Sequence, residues 1–188
     1  MTKKTRLIIG ITGATGIIYG IRLLEILRST SIETHLIVSK AAHQTRNYET
    51  TLSAEELYAL ADVHYSFQDI AACLSSGSYP TIGMIIAPCS MNTLSDIACG
   101  NTSNLITRAA DVVLKERRKL VLMTRESPLH LGHIRNMALA TEIGAIIAPP
   151  MPAFYNQPET IDDIINHSVG RVLDLFGIDV GLVKRWKS

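Results

Sequence analysis

The residues best placed to do chemistry lie between Arg6 and Gly20, in the stretch RLIIGITGATGIIYG. Leu7, Ile8 and Ile9 are a short apolar run, and Ile17, Ile18, Ile21, Leu24 and Leu27 repeat with helical spacing; the glycine-spaced turn Gly10-Ile11-Thr12-Gly13-Ala14-Thr15-Gly16 lies between them. A buried strand that enters a helix through such a turn aims unpaired N–H groups and the positive end of the helix dipole at the space above the sheet. Both favour an anion, most often a phosphate. Gly13 and Gly16 let the backbone approach that group, and Thr12 and Thr15 add hydroxyl donors. A tight connection with no ligand would use the same residues, so the strand–turn–helix setting is what the phosphate reading requires.

Further polar groups fall at the ends of other predicted strands. Ser39-Lys40 follows Thr34–Val38 at a point where a dinucleotide site would want an acidic residue for the ribose; a phosphate-binding hydroxyl fits Ser39 better. Pro88-Cys89-Ser90-Met91-Asn92-Thr93 ends a second apolar strand with hydroxyls and an amide, where Ser90 or Asn92 serves either as a helix N-cap or as a ligand group. Arg125-Glu126 ends a third, and packing gives little reason for that pair, though a surface position would also hold it. Arg108 and Lys115, seven apart, share a helix face, and the run 115–119 also reads as a solvated helix end. His130 and His133 have no third ligand nearby, so no metal is expected.

These groups need strands alternating with helices. Helices are expected at 16–29, 41–50, from a capping box at Ser53-Ala54-Glu55-Glu56 to Leu60, from Leu94 to Cys99, at 101–118, at 134–143 and from Thr160 to Phe176. Strands are expected at 7–9, 34–38, 63–67, 81–87, 120–124 and 145–148, with a helical turn at 69–73 and a loop at 74–80. The alternation predicts an α/β fold: a three-layer α/β/α sandwich on a doubly wound, mostly parallel sheet. Ligands then sit at the carboxyl ends of the strands, where neighbouring connections diverge.

With 188 residues, 47% of them hydrophobic and 19% charged, the chain reads as one globular domain over 1–188. A net charge of +1 argues against a nucleic-acid surface. Three cysteines, 73, 89 and 99, without C-x-x-C spacing, predict free thiols in a reducing cytoplasm. Lys3, Lys4 and Arg6 before an apolar run mimic a secretory signal, but Gly10, Thr12, Gly13, Thr15 and Gly16 interrupt it. No apolar run has the length of a membrane span. The tail 177–188, with Trp186, is expected at a subunit interface.

Taken in order, G-x-T-G-A-T-G at 10–16, Ser39-Lys40-Ala41-Ala42, Pro88-Cys89-Ser90, Arg108-Ala109-Ala110-Asp111, Lys115-Glu116-Arg117-Arg118, Arg125-Glu126 and Phe154-Tyr155 resemble the UbiX-like flavin prenyltransferases. An older name for that family is aromatic-acid or phenylacrylic-acid decarboxylase, and the resemblance spans nearly the whole chain. It implies a Rossmann-like or flavodoxin-like fold assembled as a homododecamer, with sites at subunit junctions. It implies reduced FMN and dimethylallyl phosphate as reactants, joined through N5 and C6 of the flavin, and a product used by a separate UbiD-type decarboxylase. FMN would be held by Gly13, Ala14, Thr15, Ser39, Ser90, Met91, Asn92, Thr93, Arg108 and Arg125. Dimethylallyl phosphate would meet Lys115, Arg125, Glu126, Tyr155 and Arg171, and the catalytic group would comprise Glu126, Glu49, Thr15, Lys115 and Tyr155.

Those residue types suit the reaction. Loss of phosphate from an allylic carbon builds negative charge on the leaving oxygens, which fixed cations stabilise without a metal. Tyr155 would donate a hydrogen bond to the same group, and Glu126 among cations would ionise readily and relay the proton lost from the flavin. Aliphatic surroundings would keep water from an allylic cation. Thr15 and Asn92 depart from the family, which usually has Ser and often Lys there. Pro88-x-Ser90-x-Asn92-Thr93 also resembles the FMN-dependent cysteine decarboxylases, so an FMN-dependent decarboxylase, of aromatic-acid or cysteine type, is the alternative. A bare FMN electron carrier would give Lys115, Arg125 and Arg171 no task. A short-chain reductase needs Tyr-x-x-x-Lys, whereas the fourth residues after the tyrosines are Leu23, Leu52, Asp62, Asp69, Gly83 and Glu159.

Overall fold

The computed structural model describes residues 5–185. Six strands, β1 (Thr5–Ile11), β2 (Ile32–Val38), β3 (Val63–Tyr65), β4 (Gly83–Cys89), β5 (Lys119–Thr124) and β6 (Ala145–Ile147), form one sheet in the order β3-β2-β1-β4-β5-β6. Every pairing is parallel. The order reverses direction between β1 and β4, which makes their carboxyl ends the switch point at which ligands bind in such sheets.

Helices α1 (Ile18–Leu27), α2 (Lys40–Glu49), α3 (Ala54–Tyr58) and α7 (Ile161–Asp174) lie on one side of the sheet; α4 (Met91–Ala98), α5 (Leu105–Lys115) and α6 (Leu131–Glu142) lie on the other. Alternation along β1 feeds both cores: Leu7, Ile9 and Ile11 face α1 and α7, while Ile8 joins Met84 and Ile86 against α5. β4 is buried from end to end, as a central parallel strand covered on both faces must be. Residues 177–185 run back over α7, with Arg185 paired to Asp174 and Asp179; Trp186 lies outside the described residues. No helix among the described residues is long and apolar enough to cross a membrane.

The predicted sandwich is the observed one, and the sheet is wholly parallel. Boundaries differ where side chains rather than periodicity set them. The expected helix 101–118 begins only at Leu105, because the Asn104 side chain accepts the N–H of Thr107 and caps it there. α4 starts at Met91 because Ser90 caps it, not three residues later. The break expected at Pro88 is a register shift between Ile86 and Cys89, and the strand continues through it. The helical turn placed at 69–73 falls at Cys73–Ser75 instead.

Candidate active site

Two loops meet at the switch point and are bonded to each other. The Thr12 hydroxyl donates to the Pro88 carbonyl at 2.9 Å and accepts the Ser90 N–H at 2.8 Å, and it is almost wholly buried. Thr12 is therefore a brace between the β1 and β4 turns rather than the ligand donor its position suggested. Against the first turn lies α2. A Cβ on Gly13 would come within 2.3 Å of the Ala41 Cβ, so only glycine permits this approach. At its far end, α2 carries Glu49 to the start of α1. The Gly16 N–H donates to the Glu49 carboxylate at 2.9 Å and the Ile17 N–H at 3.0 Å. The anion expected at this helix N-terminus is thus met by a carboxylate of the chain itself.

In front of these turns is a crevice of about 500 Å³ lined by Gly13, Ala14 and Thr15, by Ser90, Met91 and Thr124, and by Arg125, Glu126 and the stretch from Pro149 to Pro152. Arg125 reaches back across it: its Nε donates to the Thr15 carbonyl at 3.3 Å, and the guanidinium lies 5.9 Å from the Tyr19 ring centre. Glu126 is exposed at the rim, and among the described residues it forms no ion pair; one carboxylate oxygen accepts the Ser127 N–H. At the floor, the buried Thr124 hydroxyl has no hydrogen-bond partner among the described residues. A buried polar group in that condition costs free energy unless a ligand or water completes it. Hydroxyls, an arginine and this orphan suit a phosphorylated, polar-edged cofactor such as FMN.

A second hollow, of about 370 Å³, adjoins the first and shares the wall Pro149–Met151. It is lined by Met123, Tyr155, His167, Ser168 and Arg171, with aliphatic groups behind them. The Tyr155 hydroxyl lies 3.1 Å from the His167 Nε2, and Arg171 bonds Asp174 at 2.7 Å. Burial, with the nearby Arg171 guanidinium, holds the His167 imidazole below the ordinary histidine range. Neither Thr124 nor His167 was singled out by sequence reasoning. The signal for His167 was present in its place one helical turn before Arg171, on the same face of α7.

Other expected site residues stand apart. Ser39 is buried as the cap of α2, accepting the Ala42 N–H, and Thr93 is buried behind Ser90, which donates to its hydroxyl. Asn92 is exposed and turned toward Asp96. Arg108 is held by Asp111 and the Ser75 carbonyl on the outer side of α5. Lys115 ends α5 beside Glu116, where α5 hands the chain back to the start of β5, the opposite edge of the sheet from Arg125. A helix antiparallel to its strands cannot bring both of its ends to one rim, so Lys115 and Arg125 do not meet within one chain.

The Flavoprotein family model matches residues 1–173. Flavin prenyltransferase UbiX of Salmonella typhimurium is 60% identical over 186 residues, 97% of this chain and 98% of that protein. The structure is similar to that of AnUbiX (PadA1) in complex with FMN and dimethylallyl pyrophosphate, with a TM-score of 0.97 and 49% identity across 99% of both chains. It is also similar to a dodecameric FMN-dependent Ubix-like decarboxylase from Escherichia coli O157:H7, with a TM-score of 0.95 and 51% identity over 98% of this chain and 100% of that one.

Proposed function

The chain belongs to the Flavoprotein family, among its UbiX-type flavin prenyltransferases, and on that footing we propose that it joins the dimethylallyl group of dimethylallyl phosphate to N5 and C6 of reduced FMN. The observation that carries this reading is the pair of adjoining hollows with one shared wall, each offering polar and cationic groups to an anion. When bound, reduced FMN supplies the electron-rich ring atoms that take up the prenyl group. Gly13, Ala14, Thr15, Ser90, Met91 and Arg125 hold it in the larger crevice; Ser39, Asn92 and Thr93 shape the loops behind.

In the smaller hollow Tyr155 and Arg171 receive the phosphate of the allyl ester, while the aliphatic lining excludes water. As the allylic carbon–oxygen bond breaks, phosphate leaves with the electron pair, and Arg125 and Arg171 stabilise the charge that builds on it. Glu126, at the mouth of the crevice beside Arg125, accepts the proton that the flavin loses; Glu49 and Thr15 stand at the inner turn. Lys115 and Arg108 of one copy complete the site of another, in a homododecamer like the E. coli protein's. The exposed Leu131, Ile134 and Leu139 of α6, Ile143 just past its end and Phe154 of the segment before α7 offer an apolar face for that assembly. The product serves a separate UbiD-type decarboxylase in the cytoplasm.

Incubating the protein anaerobically with reduced FMN and dimethylallyl phosphate, then weighing the released flavin, tests the proposal. A gain of one prenyl unit is expected. Unchanged flavin, together with carbon dioxide released from an aromatic or cysteine-type acid by the protein alone, would establish the decarboxylase instead. In the same assay, Glu126→Gln is expected to slow conversion about a hundredfold, at the lower end of what a general base contributes, with FMN binding retained.

A further inference from the structure

Tyr19 is 7% exposed in the core between α1, α7 and the sheet, yet the guanidinium of Arg125 lies over its ring, 5.9 Å from the centre. The two side chains come together at Gly16, whose φ is +94°. A Cβ on Gly16 would lie 3.1 Å from Cδ2 and 3.2 Å from Cε2 of Tyr19, and 3.3 Å from Nε of Arg125. The side chain that glycine lacks is thus the space that the ring edge and the arginine share. We propose that Tyr19 is a positioning residue for Arg125: its ring, over the bare backbone of Gly16, holds the guanidinium so that only the Nη1 and Nη2 end is offered to phosphate. The proposal rests on the reading of Arg125 as a phosphate contact of the crevice.

A guanidinium carries five N–H bonds in one plane. It can grip an oxyanion by its end, through Nη1 and Nη2, or by its side, through Nε and one Nη. Here the side is taken, because Nε donates to the Thr15 carbonyl at 3.3 Å. The other four N–H bonds have no partner among the described residues, and Arg125 lines the crevice. The end of the fork is what remains for a ligand. The Nε bond is long for an N–H···O contact, so alone it orients the group loosely. A cation over an aromatic face gains a second, comparable attraction. This ring is a fixed platform: it is packed into the core, and the Tyr19 N–H is bonded to the Gly16 carbonyl at 3.1 Å. Among the described residues the Tyr19 hydroxyl forms no hydrogen bond, so the ring is the part that serves.

The test measures the affinity for dimethylallyl monophosphate by calorimetry, on protein saturated with oxidised FMN so that no prenyl transfer follows. Tyr19→Leu is expected to weaken binding about fivefold, the effect of losing a partly exposed cation–π contact. Tyr19→Phe keeps the ring and is expected to bind as the unaltered protein does. In an Arg125→Gln background, adding Tyr19→Leu is expected to change nothing further, since a residue that acts through Arg125 then has nothing to act on. Should Tyr19→Leu not fold, Tyr19→Met, whose long flexible side chain refills the space, gives the same comparison. Unchanged affinity in Tyr19→Leu, an equal loss in Tyr19→Phe, or a loss from Tyr19→Leu that persists without Arg125 would each overturn the proposal. If Arg125→Gln itself leaves affinity unchanged, Arg125 does not meet the phosphate, and the reading beneath the proposal falls together with it.

Discussion

The carboxylate of Glu49, the last residue of α2, sits on the N–H groups of Gly16 and Ile17 at 2.9 and 3.0 Å, so α1 begins on an anion supplied from 33 residues away in sequence. The contact fixes α2 across the glycine turn, whose Gly13, Ala14 and Thr15 line the crevice. Glu49→Gln keeps an acceptor and removes the charge. It is expected to lower stability by about 0.5–1 kcal/mol, the usual worth of a charge at a helix N-terminus. Urea unfolding at matched protein concentration would show it as a lower midpoint with an unchanged slope.

Gly13→Ala should be far more damaging than its size suggests. The new methyl carbon would lie 2.3 Å from the Cβ of Ala41 and 3.1 Å from its carbonyl carbon, so α2 and the turn must separate. The expected result is folded protein with FMN affinity reduced at least about tenfold, since over-packing of this kind costs about 1–3 kcal/mol. Flavin fluorescence titration measures it.

Thr12→Val preserves shape and removes the hydroxyl that bridges the Pro88 carbonyl and the Ser90 N–H. The Pro88 carbonyl keeps the Thr12 N–H at 3.2 Å, but the Ser90 N–H loses its acceptor, and leaving it unsatisfied should cost about 1–3 kcal/mol. The β4 turn keeps only its backbone bond to Thr12, so FMN binding is expected to weaken with stability. A stable protein with unaltered flavin affinity would show that the brace is dispensable.

Acid should destabilise the fold through its buried histidines. His35 is 1% exposed, between Glu33 and Tyr65, and burial holds it below the ordinary histidine value of 6.5 although Glu33 opposes the shift. The unfolded chain then binds more protons than the native one as pH falls from 6.5 toward the native value. Stability contributed by neutral His35 is present above 6.5 and lost through that window. Denaturant midpoints measured at about pH 7.5 and about pH 5.5 should differ in this direction, and equal midpoints would contradict it.

Among the cysteines, Cys89 is wholly buried at the end of β4, and burial pushes its thiol well above the ordinary range. A thiol reagent is expected to reach it only after unfolding, which a label-and-digest experiment with and without urea resolves.

Much of this architecture is local physics and could be read from residue order. The apolar runs 7–9 and 120–124 are strands in the structure, and the capping box at Ser53 and Glu56 forms as written. So does a second box, formed by Thr160 and Asp163. Arg125 and Glu126 fall at a strand end because the apolar run stops there. The roles of single polar residues were less legible. Thr12, Ser39 and Thr93 carry hydroxyls at the sheet's rim, and a hydroxyl in that place serves a ligand or the backbone equally well.

Sequence by itself determined the parallel sandwich, the rim on which the site lies and the anion-seeking character of its first turn, because strand propensity, helix caps and glycine turns act over a few residues. Tertiary structure alone decided which groups meet. It seated Glu49 on Gly16, set His167 behind Tyr155, left the Thr124 hydroxyl beside the crevice with no partner among the described residues and sent Lys115 to the opposite edge. Those pairings depend on helix direction and on packing across the sheet, and no spacing along the chain encodes either.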